Sequence, residues 1–319
     1  MKSIAIWFSP INKESNSLKD VELHFNFWKI PNGVKDHQKF LDIGFKFEDT
    51  SNIDSLNIYF PYEVTKNDFE DIVSKFIDDV DLVSAIFNEN YKVTATSTAK
   101  SYEIKDSNDD FIFTVYKTSE NDIEFQNNIY NGTIIKIKVL KQDKTSYYRF
   151  RLKGSFIDSL STISKPTNYI FESAFSEIEM IDFRVNEIRD LNHDLIEKIN
   201  NEVLLKIKKQ HFFFICSNEE EVIGNHQPFI SCRNLENYRW DKYVDLSEKN
   251  KKNVYLAYHW KESNKDSVST LIKTKYEKNN WKTIGKYFLI AFIVAVLIEL
   301  FSNWLYDVLK GVLTYKCNC

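Results

Sequence analysis

Glycine is scarce in this chain, 7 of 319 residues, and proline scarcer still at 5. No glycine falls in GxGxxG or GxxxxGKS/T, so the phosphate-cradling turns of dinucleotide folds and of P-loop nucleotide hydrolases are excluded. The six histidines (His24, His37, His193, His211, His226, His259) are scattered, with no HExxH and no His/Cys pair at zinc spacing. No metal site is therefore expected, and no cofactor. A GxSxG elbow is also missing, although a triad assembled from distant segments leaves no local trace. The expectation is a protein that is not an enzyme. Cysteine is limited to Cys216, Cys232, Cys317 and Cys319 without CxxC spacing, which fits a reducing compartment. With 42 basic against 46 acidic residues the net charge is -4, which argues against holding nucleic acid by bulk charge while leaving room for a local basic site. Internal repeats and low-complexity linkers are absent.

What the chain has in quantity is apolar surface: 43% of residues are hydrophobic and 15% aromatic, enough for a sizeable core. One run stands apart. Between Lys286 and Asp307 the only formal charge is Glu299, and Tyr287 to Ile298 is apolar on every helical face. Twenty such residues make about 30 Å of helix, roughly the thickness of a bilayer's hydrocarbon core. A transmembrane span over 284–310 is expected. The Leu, Ile, Phe and Val residues contribute roughly 4 to 7 kcal/mol to insertion, whereas a mid-span acid costs about 2.5 to 3.5 kcal/mol. At helical spacing Ala291, Ala295, Glu299, Ser302, Asn303, Tyr306 and Lys310 fall along one side, a stripe that lipid does not satisfy. With one span per chain, a second copy or a partner membrane protein must cover it. Ala295, Glu299, Ser302, Asn303 and Tyr306 are the expected pore or helix-association residues, in a homo-oligomer for which a tetramer is one candidate size.

The start, MKSIAIWFSP, has too short an apolar run for a signal peptide. Lys261, Lys265, Lys273, Lys275, Lys278, Lys282 and Lys286 precede the span against Lys310 and Lys316 after it, so the N-terminal region is expected in the cytoplasm. The terminal Cys-Asn-Cys is open to lipidation or to disulfide linkage.

Along the chain, period-two alternation marks strands at 21–30, 40–47 and 56–62. Apolar residues at helical spacing then predict an amphipathic helix over 67–88. Strand patterns return over 91–156, with Asn131-Gly132 as a hairpin signal, and again at 179–189. A second helix is expected over 192–209, followed by the strands HFFFIC and 254–260. The fold class is α+β: a β-rich cytosolic region with two amphipathic helices and a single C-terminal transmembrane helix. The expected divisions are a domain over 1–156, an α+β continuation over 157–262 that is a second domain or part of the first, a Lys-rich connector helix over 263–283, the span and a tail over 311–319.

Only six of the basic residues are arginine. Where lysine is the default, the planar bidentate fork marks a position of interest. Strand alternation puts Tyr147, Arg149, Arg151 and Lys153 on one face, a cationic surface with an aromatic edge suited to phosphates and a stacked base. Arg184 and Arg189 form a second pair, and Trp240 beside Arg239 offers a second stacking surface. The plainer alternative is that these arginines pair with the abundant carboxylates.

This layout, carried by FLDIGFKF, SLNIYFPYEV, MIDFRVNEIRD and the span, resembles the membrane effectors of bacterial anti-phage nucleotide-signalling systems, the Hailong-type transmembrane effectors among them. The resemblance is one of layout and carries over no binding residue. It implies a single-pass inner-membrane protein whose cytosolic sensor controls a homo-oligomeric pore, with abortive infection as the outcome. The implied partners are other copies of the chain, membrane lipid, and a nucleotide or short oligonucleotide made by a nucleotidyltransferase. The alternative is a membrane-anchored binding or scaffold protein whose helix serves only as an anchor.

Overall fold

The computed structural model describes residues 3–12, 20–32, 36–96, 100–164, 176–277 and 281–316. The chain begins with β1 (Ala5–Pro10), β2 (Asp20–Asn32), β3 (Asp36–Phe47), β4 (Ile53–Phe60) and β5 (Phe69–Asp71). After α1 (Val80–Phe87) come β6 (Lys92–Ala95), β7 (Ser101–Lys105), β8 (Phe111–Tyr116), β9 (Ile123–Ile129), β10 (Gly132–Lys138) and β11 (Ser146–Leu152). Then follow α2 (Ser155–Ser159), β12 (Ser161–Ser164), β13 (Ser176–Val185), α3 (His193–Asn200), β14 (Val203–Leu204), β15 (Lys206–Ser217), β16 (Glu220–Asn225) and β17 (Ser231–Leu235). The last elements are α4 (Asn237–Val244), β18 (Tyr255–Lys265), β19 (Val268–Glu277) and α5 (Trp281–Lys316).

Residues 1–163 and 179–275 make one compact unit. Its largest sheet runs in the order β17-β18-β15-β2-β3-β11-β8-β7-β6, with β5 added on β11. A second sheet has the order β14-β1-β4-β10-β9 and a third β12-β13-β19-β16. Alternation in β2 explains the layering. Val21, Leu23, Phe25 and Phe27 point into a core shared with Ile6, Phe8, Ile58 and Ile135 of the second sheet and Phe183 and Ile272 of the third. The opposite face of the large sheet carries a separate core, in which Trp28, Phe40, Phe113 and Ile215 meet α1 and α4 through Leu82, Val83, Trp240 and Tyr243. A third, small core sits where α3 covers Trp7 and Tyr59 with Leu195 and Ile199.

Three expected helices are corrected. In 67–88 only Val80–Phe87 is α-helical; Phe69–Asp71 is a strand and Val73–Lys75 a single 3-10 turn. The apolar residues there serve two cores, Phe69 one and Ile72, Phe76 and Leu82 the other, so no single stripe exists. Local acceptors divide the segment: the Asp71 carboxylate takes the Val73 N–H at 3.0 Å, and Asp79 caps α1 by accepting from Leu82 N–H at 3.1 Å. Similarly 192–209 is helical only to Asn200, because Leu195 and Ile199 pack under the second sheet whereas Val203 and Ile207 belong to the large core. The connector over 263–277 is a β-hairpin arm, not a helix, since Val268, Thr270, Ile272, Thr274 and Tyr276 are buried at every second position.

The hairpin at Asn131 forms one residue earlier than its Asn-Gly signal suggests. Tyr130 and Asn131, at φ 53° and 62°, are the central pair, as a type I′ turn requires. Gly132 instead lies in β10, where a Cβ would stand 2.1 Å from the Phe60 carbonyl.

Of the second unit, residues 164–178 and 276–319, the main described element is α5. Its residues 284–310 have a mean hydropathy of 2.3 and exposed apolar side chains, and form one helix long and apolar enough to cross a membrane. The fold is thus α+β and β-rich, with one C-terminal helix fit to be a single membrane span. Residues 165–175 of the expected domain edge at 157–178, together with Cys317 and Cys319, lie outside the described residues.

Candidate functional site

On the face of the large sheet opposite its main core, polar side chains gather where α1 and α4 leave the sheet uncovered. Glu22, His24 and Asn26 of β2 alternate with Leu23 and Phe25 and so point there. The neighbouring strand β15 runs parallel to β2 with His211 opposite His24. Antiparallel β18 then sets Lys261 opposite His211 and His259 opposite Phe213, and β17 sets Ser231 opposite His259. The C-terminal end of α1 walls one side with Phe87, Asn88 and Glu89, and the partly open cavity measures about 400 Å³. Arg233 of β17 fastens that wall, donating to Asn88 Oδ1 at 3.1 Å and to the Ala85 carbonyl at 3.3 Å.

Inside the pocket the imidazoles are organised around one carboxylate oxygen. Glu22 Oε1 lies 3.3 Å from His24 Nε2 and 3.4 Å from His211 Nε2. His211 Nδ1 is 3.0 Å from His259 Nε2, and the His259 ring stacks on Phe213 at 4.1 Å between centroids. His24 Nδ1 is 3.5 Å from the Tyr147 hydroxyl, which also accepts from Arg149 Nη1 at 2.7 Å. Gly44, opposite His24 on β3, makes this stacking of layers possible: a Cβ there would meet the Tyr147 oxygen at 2.2 Å.

Burial, helped by neighbouring His211 and opposed by Glu22, lowers His24 to about 4. Burial and His211 likewise lower His259 to about 4. Both rings are neutral at physiological pH and each keeps a lone pair. Burial alone would raise the Glu22 carboxyl, but the hydrogen bonds from His211 and His24 outweigh it and hold Glu22 well below the usual carboxylate range. Glu22 is therefore ionised. The pocket combines a carboxylate and neutral imidazoles with the cationic Arg149, Arg233 and Lys261, a lining able to coordinate a cation and to attract an anion.

The sequence-selected residues divide. Arg149 does line this pocket, yet it is 1% exposed and donates through Nε to the Tyr243 hydroxyl at 2.8 Å. Arg151, also 1% exposed, grips Asp42 with Nε at 2.7 Å and Nη2 at 3.1 Å, and donates to the Tyr243 carbonyl. Tyr147 is buried beneath the pocket, and Lys153 pairs with Glu70 at 2.9 Å. Arg184 is bound by Asp182 and Asp190, and exposed Arg189 by Glu187, none of them lining this pocket. Trp240 is packed against Trp28 and Tyr243 in the second core. Ala295, Glu299, Ser302, Asn303 and Tyr306 share one continuous helix, α5, at three- and four-residue spacing.

Glu22, His24, His211 and His259 were missed because β2, β15 and β18 bring them together across most of the domain's sequence. The available signal was alternation: both VELHFNF and HFFFIC place a histidine on the face opposite their core residues.

No family model matches the chain, and no curated protein does. Among solved structures it is similar to the yeast delta-COP-I mu-homology domain complexed with a Dsl1 WxWxV peptide, at 9% identity and a TM-score of 0.20, over 88% of this chain and 78% of that one.

Proposed function

We propose that this protein is a single-pass membrane effector whose β-rich domain lies in the cytosol, binds a small phosphate-bearing ligand of the nucleotide class, and controls a pore formed by self-associated copies of the span. The observation that carries this reading is the pairing, in one chain, of a cation-lined cavity of nucleotide size with a membrane helix that has an acid at mid-span. Three cationic side chains, Arg149, Arg233 and Lys261, outnumber the carboxylates of Glu22 and Glu89 around that cavity. Lys273, Lys275, Lys278, Lys282 and Lys286 before the span, against Lys310 and Lys316 after it, support a cytosolic position for the domain. Glu299 with Ser302 and Asn303 supplies a polar seam that a second copy satisfies and lipid does not.

The test uses the intact chain in a bacterial inner membrane. Expression is expected to depolarise the cells, and Glu299→Leu to abolish depolarisation while leaving the amount of inserted protein unchanged. Purified protein is expected to bind a nucleotide from a panel of mono-, di- and oligonucleotides, with Arg233→Ala combined with Lys261→Ala weakening binding at least tenfold. Full activity after replacement of 284–310 by an unrelated apolar helix refutes the pore and leaves an anchored binding protein.

A further inference from the structure

We infer that Glu22, His24 and His211 form a binding site for a zinc-class divalent cation. The geometry is specific. Both imidazole Nε2 atoms approach the same Glu22 oxygen, at 3.3 and 3.4 Å, and one donor atom from each of the three residues lies within 4.8 Å of the others. Both contacts are hydrogen bonds, longer than the usual length of about 2.9 to 3.0 Å. They match the edge of a tetrahedron around a metal: bonds of about 2.0 to 2.1 Å place ligand atoms about 3.3 to 3.4 Å apart. Two imidazole nitrogens with one carboxylate oxygen are a donor set that suits a zinc-class cation.

The surroundings supply what such a site needs. His211 presents Nε2 to the cation when its proton resides on Nδ1, and that proton then has an acceptor in His259 Nε2 at 3.0 Å. His24 presents Nε2 in the same way when its proton resides on Nδ1, which faces the Tyr147 oxygen at 3.5 Å that Arg149 Nη1 fixes in place. Phe213 and Gly44 keep the rings oriented, one by stacking on His259 and the other by admitting Tyr147. Two histidines and one glutamate leave the fourth tetrahedral position open towards the cavity. The cation site does not depend on the nucleotide reading, because it needs only these three side chains; where both hold, an anionic ligand has a metal to complete.

The experiment uses the full chain purified in mild detergent, stripped with a chelator, in a Cys232→Ser, Cys317→Ser, Cys319→Ser background so that thiols do not compete. Titration with Co²⁺ is expected to produce the visible absorption of a tetrahedral complex, saturating at one equivalent and abolished by one equivalent of Zn²⁺. His24→Gln, His211→Gln and Glu22→Gln should each weaken binding by about 100-fold or more, and His259→Gln by about 10- to 100-fold with the stoichiometry kept. His193→Gln, on an exposed histidine, should change nothing. Absence of the tetrahedral band in the Cys-to-Ser background, with Glu22 and the histidines intact, overturns the inference whether or not any further variant folds. A band that survives both His24→Gln and His211→Gln in folded protein overturns it too. Loss of nucleotide binding with Co²⁺ binding intact would count against the proposed ligand and leave the cation site standing.

Discussion

Replacing Asp42 by asparagine changes one atom and should cost the β domain a large part of its stability. Asp42 is fully buried at the middle of β3, where its carboxylate accepts from Arg151 at 2.7 and 3.1 Å, from the Tyr243 hydroxyl at 2.7 Å and from Trp28 Nε1 at 3.2 Å. Arg149 Nη2 is 4.0 Å away. One group thereby ties β2, β3 and β11 to helix α4. Asparagine keeps the volume but removes the charge facing Arg151 and turns an N–H₂ towards groups that are themselves donors. Breaking a buried ion pair from one side costs about 3 to 5 kcal/mol, since it leaves the other charge buried without its counterpart. For a domain of this size each kcal/mol lowers Tm by about 2 to 4 °C, so a fall of about 6 to 20 °C is expected. The assay is thermal unfolding of the full-length protein in mild detergent, followed by tryptophan fluorescence. Asp109→Asn, whose partner Lys92 is half exposed, serves as the control and should leave Tm unchanged. Adding Arg151→Met to Asp42→Asn should recover part of the loss, because both charges then leave the interior together. If Asp42→Asn lowers Tm no more than Asp109→Asn does, the carboxylate does not hold the sheet to α4 and the electrostatic account of this layer is wrong.

Burial raises Asp71 from 3.8 to about 6, against the hydrogen bonds from Thr118 and Val73, so its folded form binds a proton more tightly than the unfolded chain. That stabilisation is complete below pH 3.8 and lost as pH rises through 6; urea melts at pH 7 and pH 5 should show the wild type gaining about 1.4 kcal/mol relative to Asp71→Asn, and equal pH responses would refute it. Glu179 acts in the opposite sense. Burial raises it but Lys29 and Lys39 pull it down to about 2, so its contribution is present above pH 4.5 and lost as pH falls towards 2, a loss Glu179→Gln should not show. Gly44→Ala should push Tyr147 off the sheet and cost about 1 to 3 kcal/mol in urea unfolding; an unchanged midpoint would mean that Tyr147 has room to move.

How much of this was legible follows from which period the residues obey. Alternation in 21–30 and 40–47 gave β2 and β3 closely, because one face of each meets a continuous core. Residues 67–88 and 192–209 misled because their apolar residues belong to two cores, and a projection at 3.6 residues per turn cannot separate two partners from one stripe. The Lys-rich stretch after Trp260 read as a helix because its charges masked the alternation of Val268, Thr270 and Ile272. At the site, Arg149 was selected for its cationic face, yet the same strand buries it beneath Tyr243. The histidines carried no local spacing, since sheet register alone makes His24 and His211 neighbours.

The parallel pairing of β2 with β15 has a consequence for how the protein is made. A ribosome releases β2 early and β15 only after some two thirds of the chain, and closing so long a loop is slow and gains nothing until both strands meet. A partly synthesised or truncated chain that lacks β15 and β18 therefore has only half of the pocket's lining. The lining is complete only with the last strands, immediately before the apolar helix emerges.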